Sequence, residues 1–333
     1  MPVSETPLLS AVNLHKTFKV AAQNRSTRIL TALDGVSLYL MAGETLGIAG
    51  ESGCGKSTLA KIMAGLLTPD GGSVLYKGTQ LGQLGQNGKA SFRRKTQMIF
   101  QDPFSSLNPR MRIGDSISEP FTIAGMRTPL QREELSRIMA AVGLQSDAVN
   151  RFPDEFSGGQ RQRIGIARAL AASPEILIAD EPVSSLDISI QAQIINILLQ
   201  MKLEFSLSMM IVSHNLLILR HICDRIIIMY LGVIVECGPA SEIFRRCRHP
   251  YTEALIAAIP GLHTSAAAKD ELLRDDLPSA LSIPSGCRFH PRCRHAVERC
   301  RHEVPDLVEY ASGHTAACHL SGQLYGIPVE PPA

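Results

Sequence analysis

The chain has 333 residues, 45% of them hydrophobic and 19% charged, with a formal net charge of +2. That is enough apolar mass for one large domain and a smaller one, and it lacks the basic excess that a nucleic-acid partner needs. Trp is absent and aromatics are 5% of the chain, which excludes a stacking platform for bases.

The first ten residues carry neither a basic n-region nor an apolar h-region, so no secretory leader is expected. From Leu8 to about Phe244, short apolar runs alternate with helical ones. Thr45 to Ala49 reads as a buried strand that turns through glycines into a helical run, Ser57 to Leu66. Gln97 to Phe100 is strand-like. Between Ser91 and Ser157 the strand signals fade, and apolar residues recur at helical spacing over Thr128 to Val142. Asp115 to Val149 is therefore predicted to be a mainly helical insertion. Ile176 to Ala179 and Met209 to Val212 are further buried strands, each ending in polar residues. The most apolar stretch, Leu216 to Val235, is broken by Arg220, His221, Asp224 and Arg225, so it falls short of the roughly 18 residues a spanning helix requires. Any membrane contact is expected to go through a partner protein. After Phe244 come a short helical stretch to Ile259, a polar linker and a cysteine-bearing segment. The fold class is α/β: a mostly parallel sheet core with helices on its faces, a helical insertion subdomain and a small cysteine-containing extension. In numbers, this means a domain over 1–260 (helical subdomain about 102–160), a linker over 261–285 and the extension over 286–325. Ligands of such a sheet bind at the carboxyl ends of its strands.

Gly50, Glu51, Ser52, Gly53, Cys54, Gly55, Lys56 and Ser57, followed by Thr58, fit G-x-x-x-x-G-K-[ST] at every fixed position. The glycines let backbone N–H groups turn inward onto phosphate oxygens, and the following helix presents its N-terminus to the same anion. Lys56 is expected to reach the β- and γ-phosphates, and the Ser57 hydroxyl to ligate Mg²⁺. The bland alternative is a glycine turn that happens to precede a helix; the strand before it and the helix after it argue against that. Asp180 and Glu181 end an apolar strand. Asp180 is expected to organise hydrated Mg²⁺, and Glu181 to polarise the attacking water.

With these motifs in order, the chain resembles the nucleotide-binding subunit of an ABC transporter over about Leu8 to Ile259. Phe156-Ser157-Gly158-Gly159-Gln160 is similar to the family's signature sequence, with Phe where Leu is usual. The resemblance implies that Ser157 to Gln160 hold the γ-phosphate of ATP bound to an opposite subunit, hence a head-to-tail dimer with two composite sites. It also implies that Gln101 is the Q-loop glutamine, contacting Mg²⁺ and water, that His214 is the switch histidine, that Ser184 to Asp187 form the D-loop, and that Phe18 stacks on adenine. For Phe18 a core aromatic is the alternative.

Narrower likenesses follow. Gln101 to Met111, Asp180 to Gln193, His249 to Leu255 and Gly286 to Cys293 resemble segments of the dipeptide and oligopeptide importer ATPases, a pattern that nickel and glutathione importers share. The resemblance implies a second, related ATPase subunit, two transmembrane permeases, a periplasmic or extracellular solute-binding protein, no nucleic acid, and a peripheral place on the cytoplasmic face of the inner membrane. It also implies a groove beside Phe104 to Met111 that receives a coupling helix of the permease. A soluble ABC ATPase of translation or DNA repair is the rival reading, but such proteins often fuse two cassettes or carry a long coiled coil, and this chain has one cassette and no sustained heptads.

Cys287, Cys293, Cys300 and Cys318 are spaced C-x5-C-x6-C-x17-C. Four thiolates suit a [4Fe–4S] cluster or a tetrahedral zinc, and free thiols are the third possibility. Arg288, Arg292, Arg294 and Arg299 are expected to offset the charge of thiolate ligands. Some members of the peptide-importer group carry an iron–sulfur cluster here.

Overall fold

The computed structural model describes residues 6–21, 27–102, 107–184, 186–259 and 280–325. The parallel strands are β3 (Thr45–Ala49), β6 (Thr96–Ile99), β7 (Ile176–Asp180), β8 (Ser208–Val212) and β9 (Arg225–Tyr230). They lie in the order β9-β3-β8-β7-β6. Their near-continuous apolar sequences follow from burial on both faces. Leu46, Ile178, Met210 and Ile227 point into one core, whereas Leu177, Met209, Ile211 and Ile226 point into the other. This is the period-two alternation of a strand with no solvent face.

The first core is closed by α1 (Lys56–Met63), which buries Leu59, Ala60, Ile62 and Met63, and by a separate antiparallel sheet. That sheet has the order β2-β1-β4-β5, from β1 (Leu9–Ala21), β2 (Thr27–Leu40), β4 (Gly71–Tyr76) and β5 (Thr79–Gln80). Sequence periodicity did not separate it from the parallel strands, because bulges between Ala11 and Leu14 and between Leu14 and Lys16 break the alternation of β1.

The second core holds the helical insertion. After α2 (Gln86–Lys95) come α3 (Ile113–Ile123) and α4 (Thr128–Ala141), which pack with α5 (Gly158–Ala171). Ile113, Ile117 and Phe121 recur every fourth residue and are all buried, so α3 presents one apolar stripe. The helices α6 (Ile188–Glu204), α7 (Leu216–Ile222), α8 (Ala240–Arg245) and α9 (Pro250–Ala257) complete the domain.

The cysteine-bearing segment is joined to the main sheet. Strands β11 (Val308–Ala311) and β12 (His314–Ala316) extend it through β10 (Val233–Pro239), with Glu236 opposite Ala316 and Cys237 opposite Thr315. Residues 280–285 of the expected linker are described, while 261–279 lie outside the described residues. Two short helices, α10 (Glu298–His302) and α11 (Ser321–Tyr325), flank the two strands in sequence.

The joint is polar and buried. Glu236 is fully buried, yet its carboxylate accepts from the backbone N–H of Arg248 at 2.6 Å and of His249 at 3.1 Å, and faces His314 Nε2 at 2.8 Å. Partners on every side are what make such a burial tolerable. His249 caps α9, its Nδ1 accepting from Tyr251 N–H at 3.0 Å. Desolvation drives its pKa down to about 3, so the ring is neutral.

Candidate functional site

The loop between β3 and α1 is shaped by glycines that no other residue can replace. Gly50 and Gly55 have φ of 147° and 106°. A Cβ at Gly50 would lie 2.3 Å from the Met229 carbonyl oxygen, and one at Gly55 would lie 2.2 Å from that of Ala32. The backbone thus passes its neighbours at a distance only glycine permits. Gly55 caps α1 with no side-chain acceptor, so the N–H groups at the helix start lack a capping partner and are of the kind that can receive an anion. Lys56 is nearly buried, and its ammonium donates to the carbonyls of Gly50 at 2.7 Å and Glu51 at 2.8 Å. Ser52 and Gly53 are exposed at the tip, Cys54 is buried with its thiol pKa raised by desolvation, and Thr58 is half-buried.

At the neighbouring strand ends the acidic residues meet this loop. Ser57 Oγ donates to Asp180 Oδ1 at 3.0 Å. Asp180 is buried, and desolvation followed by the nearby Glu181 charge pushes its carboxyl pKa up, against the Ser57 hydrogen bond that lowers it. Glu181 adopts a left-handed φ of 47°, its N–H donating to the Val212 carbonyl at 2.9 Å. A non-glycine residue held there is strained, and such strain clusters at functional sites. Its carboxylate accepts from Gln101 Nε2 at 3.0 Å and faces His214 Nδ1 at 3.3 Å. Lys56, Ser57, Gln101, Asp180, Glu181 and His214, distant in sequence, are therefore assembled through three direct side-chain pairs and one loop. The Ser57 hydroxyl and the Asp180 carboxylate, joined by their hydrogen bond, are oxygen donors of the kind that suits Mg²⁺.

Two sequence candidates stand apart. Ser157 to Gln160 begin α5, where Ser157 N–H donates to Gln160 Oε1 at 3.0 Å and Gln160 N–H to Ser157 Oγ at 3.4 Å. This reciprocal cap leaves a glycine-lined helix N-terminus. A Cβ on Gly159 would meet Ile190 at 2.6 Å, while one on Gly158 would lie 3.4 Å from Leu186. Among the described residues, no hydrogen bond or ion pair links this cap to Gly50–Thr58. Phe156, the unusual aromatic, is buried under the Arg151 guanidinium, 4.4 Å from its ring centroid. Phe18 is exposed on β1 opposite Leu30, with Lys16 Nζ 5.6 Å from its ring centroid; it is not a core aromatic.

A cleft of about 740 Å³ lies away from the glycine loop, between β6, α2, α3 and α5. Phe100, Leu107, Pro120 and Ile123 line it, and Ile123 is 81% exposed. Of the segment expected there, Phe104 lies outside the described residues, whereas Leu107 faces the cleft.

In the extension, desolvation raises the Cys318 thiol, and the charges of Cys287, Cys293 and Cys300 add to that rise. All four are free. Desolvation raises Cys287 to about 11 and Cys318 to about 12, and raises Cys293 as well. Among the described residues, no group of three or more His, Cys, Asp or Glu side chains is placed to hold a metal ion. The expected charge compensation is confined to one of the four arginines. Arg288 pairs with Asp34, Arg292 with Glu51, Arg294 with Glu253 and Arg299 with Glu303. Of the four, Arg294 alone is among the causes lowering Cys293. All four arginines pair with carboxylates, and the expected offset of thiolate charge is seen at Arg294. The connection from Arg292 and Tyr251 to Glu51 was not visible in the sequence; the only signal was the pair of arginines inside Cys287–Cys293.

Comparison with known proteins agrees with this geometry. Residues 33–184 match the ABC transporter family, and residues 235–300 match the oligopeptide/dipeptide transporter C-terminal region. A probable peptide ABC transporter ATP-binding protein, y4tS of Sinorhizobium fredii, is 45% identical over 98% of this chain and 93% of its own length. The oligopeptide transport ATP-binding protein AppF of Bacillus subtilis is 47% identical over 87% of this chain and 89% of its own. Among solved structures, a dimeric, post-hydrolysis ATP-binding cassette bound to ADP and Pi superposes with a TM-score of 0.62 and 28% identity, covering 70% of this chain and 98% of that one.

Proposed function

Because this chain belongs to the ATP-binding subunits of ABC transporters, in the oligopeptide/dipeptide group, we propose that it binds and hydrolyses ATP to drive import of di- or oligopeptides through a partner permease. The observation that carries the site assignment is the convergence of Ser57 on Asp180, and of Gln101 and His214 on Glu181, beside a glycine-shaped anion loop.

In this reading, the α1 N-terminus and Lys56 bind the β- and γ-phosphates, and Lys56 leaves the two loop carbonyls to do so. Mg²⁺ would be held by Ser57 and Gln101 with Asp180 behind its water shell, and it would neutralise developing phosphate charge. Glu181 takes the proton of the attacking water. Its carboxylate is engaged by Gln101 and His214, so both must turn toward the γ-phosphate for the base to act. Ser157 to Gln160 serve the site of a second subunit, as the family likeness implies; among the described residues no hydrogen bond or ion pair links them to this chain's own loop. Phe18 stacks on adenine, for which its exposure is suitable.

The partners that follow are a second and related ATPase, two permease subunits and a solute-binding protein, with this chain peripheral on the cytoplasmic face of the inner membrane. The exposed apolar cleft at Phe100, Leu107 and Ile123 is the docking place for a permease coupling helix; no helix among the described residues is long and apolar enough to cross a membrane. The test is peptide uptake by vesicles holding the assembled transporter. Ile123→Glu should abolish uptake while ATP binding persists; loss of ATP binding would count against this role of the cleft.

The same family likeness supports a second reading for the extension, that Cys287, Cys293, Cys300 and Cys318 hold a [4Fe–4S] cluster, with zinc as the alternative. The Cys287 N–H donating to the Cys300 carbonyl at 2.9 Å favours it, and the lack of a ligating arrangement among the described residues does not. Anaerobically purified protein is expected to absorb near 400 nm and carry iron; absence of both would refute it.

A further inference from the structure

We propose that Arg292 is a positioning residue for nucleotide binding, acting through Glu51, so that the cysteine-bearing extension braces the phosphate loop from outside. The inference rests on reading Gly50–Ser57 as the phosphate site. The Arg292 side chain is 4% exposed, and its guanidinium meets both oxygens of the Glu51 carboxylate, Nη1 to Oε2 at 2.8 Å and Nη2 to Oε1 at 3.0 Å. A planar two-point pair fixes direction as well as distance, which a lysine cannot do.

Glu51 is constrained at each of its polar groups. Its N–H donates to Tyr251 Oη at 2.9 Å, and its carbonyl accepts from Lys56 Nζ at 2.8 Å. Tyr251 is itself packed against Phe289, ring centroids 5.4 Å apart, and Phe289 is buried against Tyr230 at the same separation. The turn from Cys287 to Cys293 therefore holds Glu51 twice, by Arg292 on the carboxylate and by way of Phe289 and Tyr251 on the N–H. Arg288 of the same turn binds Asp34 and the Leu231 carbonyl. Next to Leu231, Gly232 N–H donates to the Cys54 carbonyl at 2.9 Å. Each route from the turn ends on the loop.

Two consequences for ATP follow. The brace fixes the end of the loop from which Lys56 must swing toward phosphate. It also neutralises a carboxylate one residue from Gly50, which would otherwise be free to turn toward the incoming anion and repel it.

The experiment measures the KM and kcat of the full chain for ATP, with a fluorescent ATP analogue as an independent binding readout. Arg292→Gln should raise KM about tenfold with kcat within about twofold, the effect of a displaced binding group. Arg292→Lys should recover part of the loss. Glu51→Gln should raise KM on its own, and the Glu51→Gln/Arg292→Gln double variant should be no worse than the poorer single, because the two act as one unit. Additive effects, or a wild-type KM in Arg292→Gln, would overturn the proposal; if Arg292→Gln does not fold, a wild-type KM in both Arg292→Lys and Glu51→Gln would do so. Lys56→Ala separates the two levels. If it binds ATP normally, the reading of the loop itself fails; if it loses ATP while Arg292→Gln does not, only the brace fails.

Discussion

The phosphate loop and the cysteine turn are two tight chain reversals in contact, and they treat charge in opposite ways. At the phosphate site, Lys56 rests on backbone carbonyls and Glu181 on the Gln101 amide and the His214 imidazole, contacts that each can leave to engage a ligand. In the turn, Arg288 and Arg292 are fully engaged by Asp34 and Glu51, while the thiols beside them stay neutral under desolvation. Open charges suit a site that must exchange ligands. Closed pairs suit a brace, since breaking a mostly buried pair leaves an uncompensated charge.

That contrast can be broken at several points, the largest effect first. Gly55→Ala forces a Cβ onto the Ala32 carbonyl at a left-handed φ. It should abolish ATP binding and cost about 3 kcal/mol of stability, checked by denaturant unfolding. Wild-type binding would mean the loop is not glycine-dependent. On the brace side, His249 is kept neutral with its folded pKa at about 3. The unfolded imidazole takes a proton near pH 6.5, so stability held above that pH is lost as pH falls from about 6.5 toward 3. Between pH 7 and pH 5 the wild type should lose about 2 kcal/mol more than His249→Asn, which keeps a cap acceptor for Tyr251 N–H. Equal losses would remove His249 from the account. Smallest is Asp180→Asn. Its raised pKa marks a carboxylate whose charged form is disfavoured by burial. The variant should melt about 2 °C higher without ligand while losing Mg²⁺-dependent turnover, read by calorimetry and phosphate release. A lower melting temperature would contradict that burden.

The two regions also differed in how far they could be read from the chain alone. Strands Thr45–Ala49 and Ile176–Asp180 and the loop between Gly50 and Ser57 were legible, because local backbone geometry dictates glycine, lysine and carboxylate at fixed spacing. Helix Thr128–Ala141 was legible from its period. The antiparallel sheet was not, since bulges interrupt the alternation of Leu9–Ala21. Nor was the brace: Arg292 and Glu51 stand 241 residues apart, and neither spacing nor composition records which carboxylate a buried arginine meets. Cysteine spacing suggested a ligand set, but where the neighbouring arginines point depends on tertiary packing.

The central claim, that Glu181 is the base of an ATP site built from the loop and strand ends, is tested most directly by Glu181→Gln in a single preparation assayed for both ATP binding and turnover. The account expects ATP affinity within about threefold of wild type and turnover reduced at least about 100-fold, the scale of a lost general base. Undiminished turnover with the same affinity would contradict it.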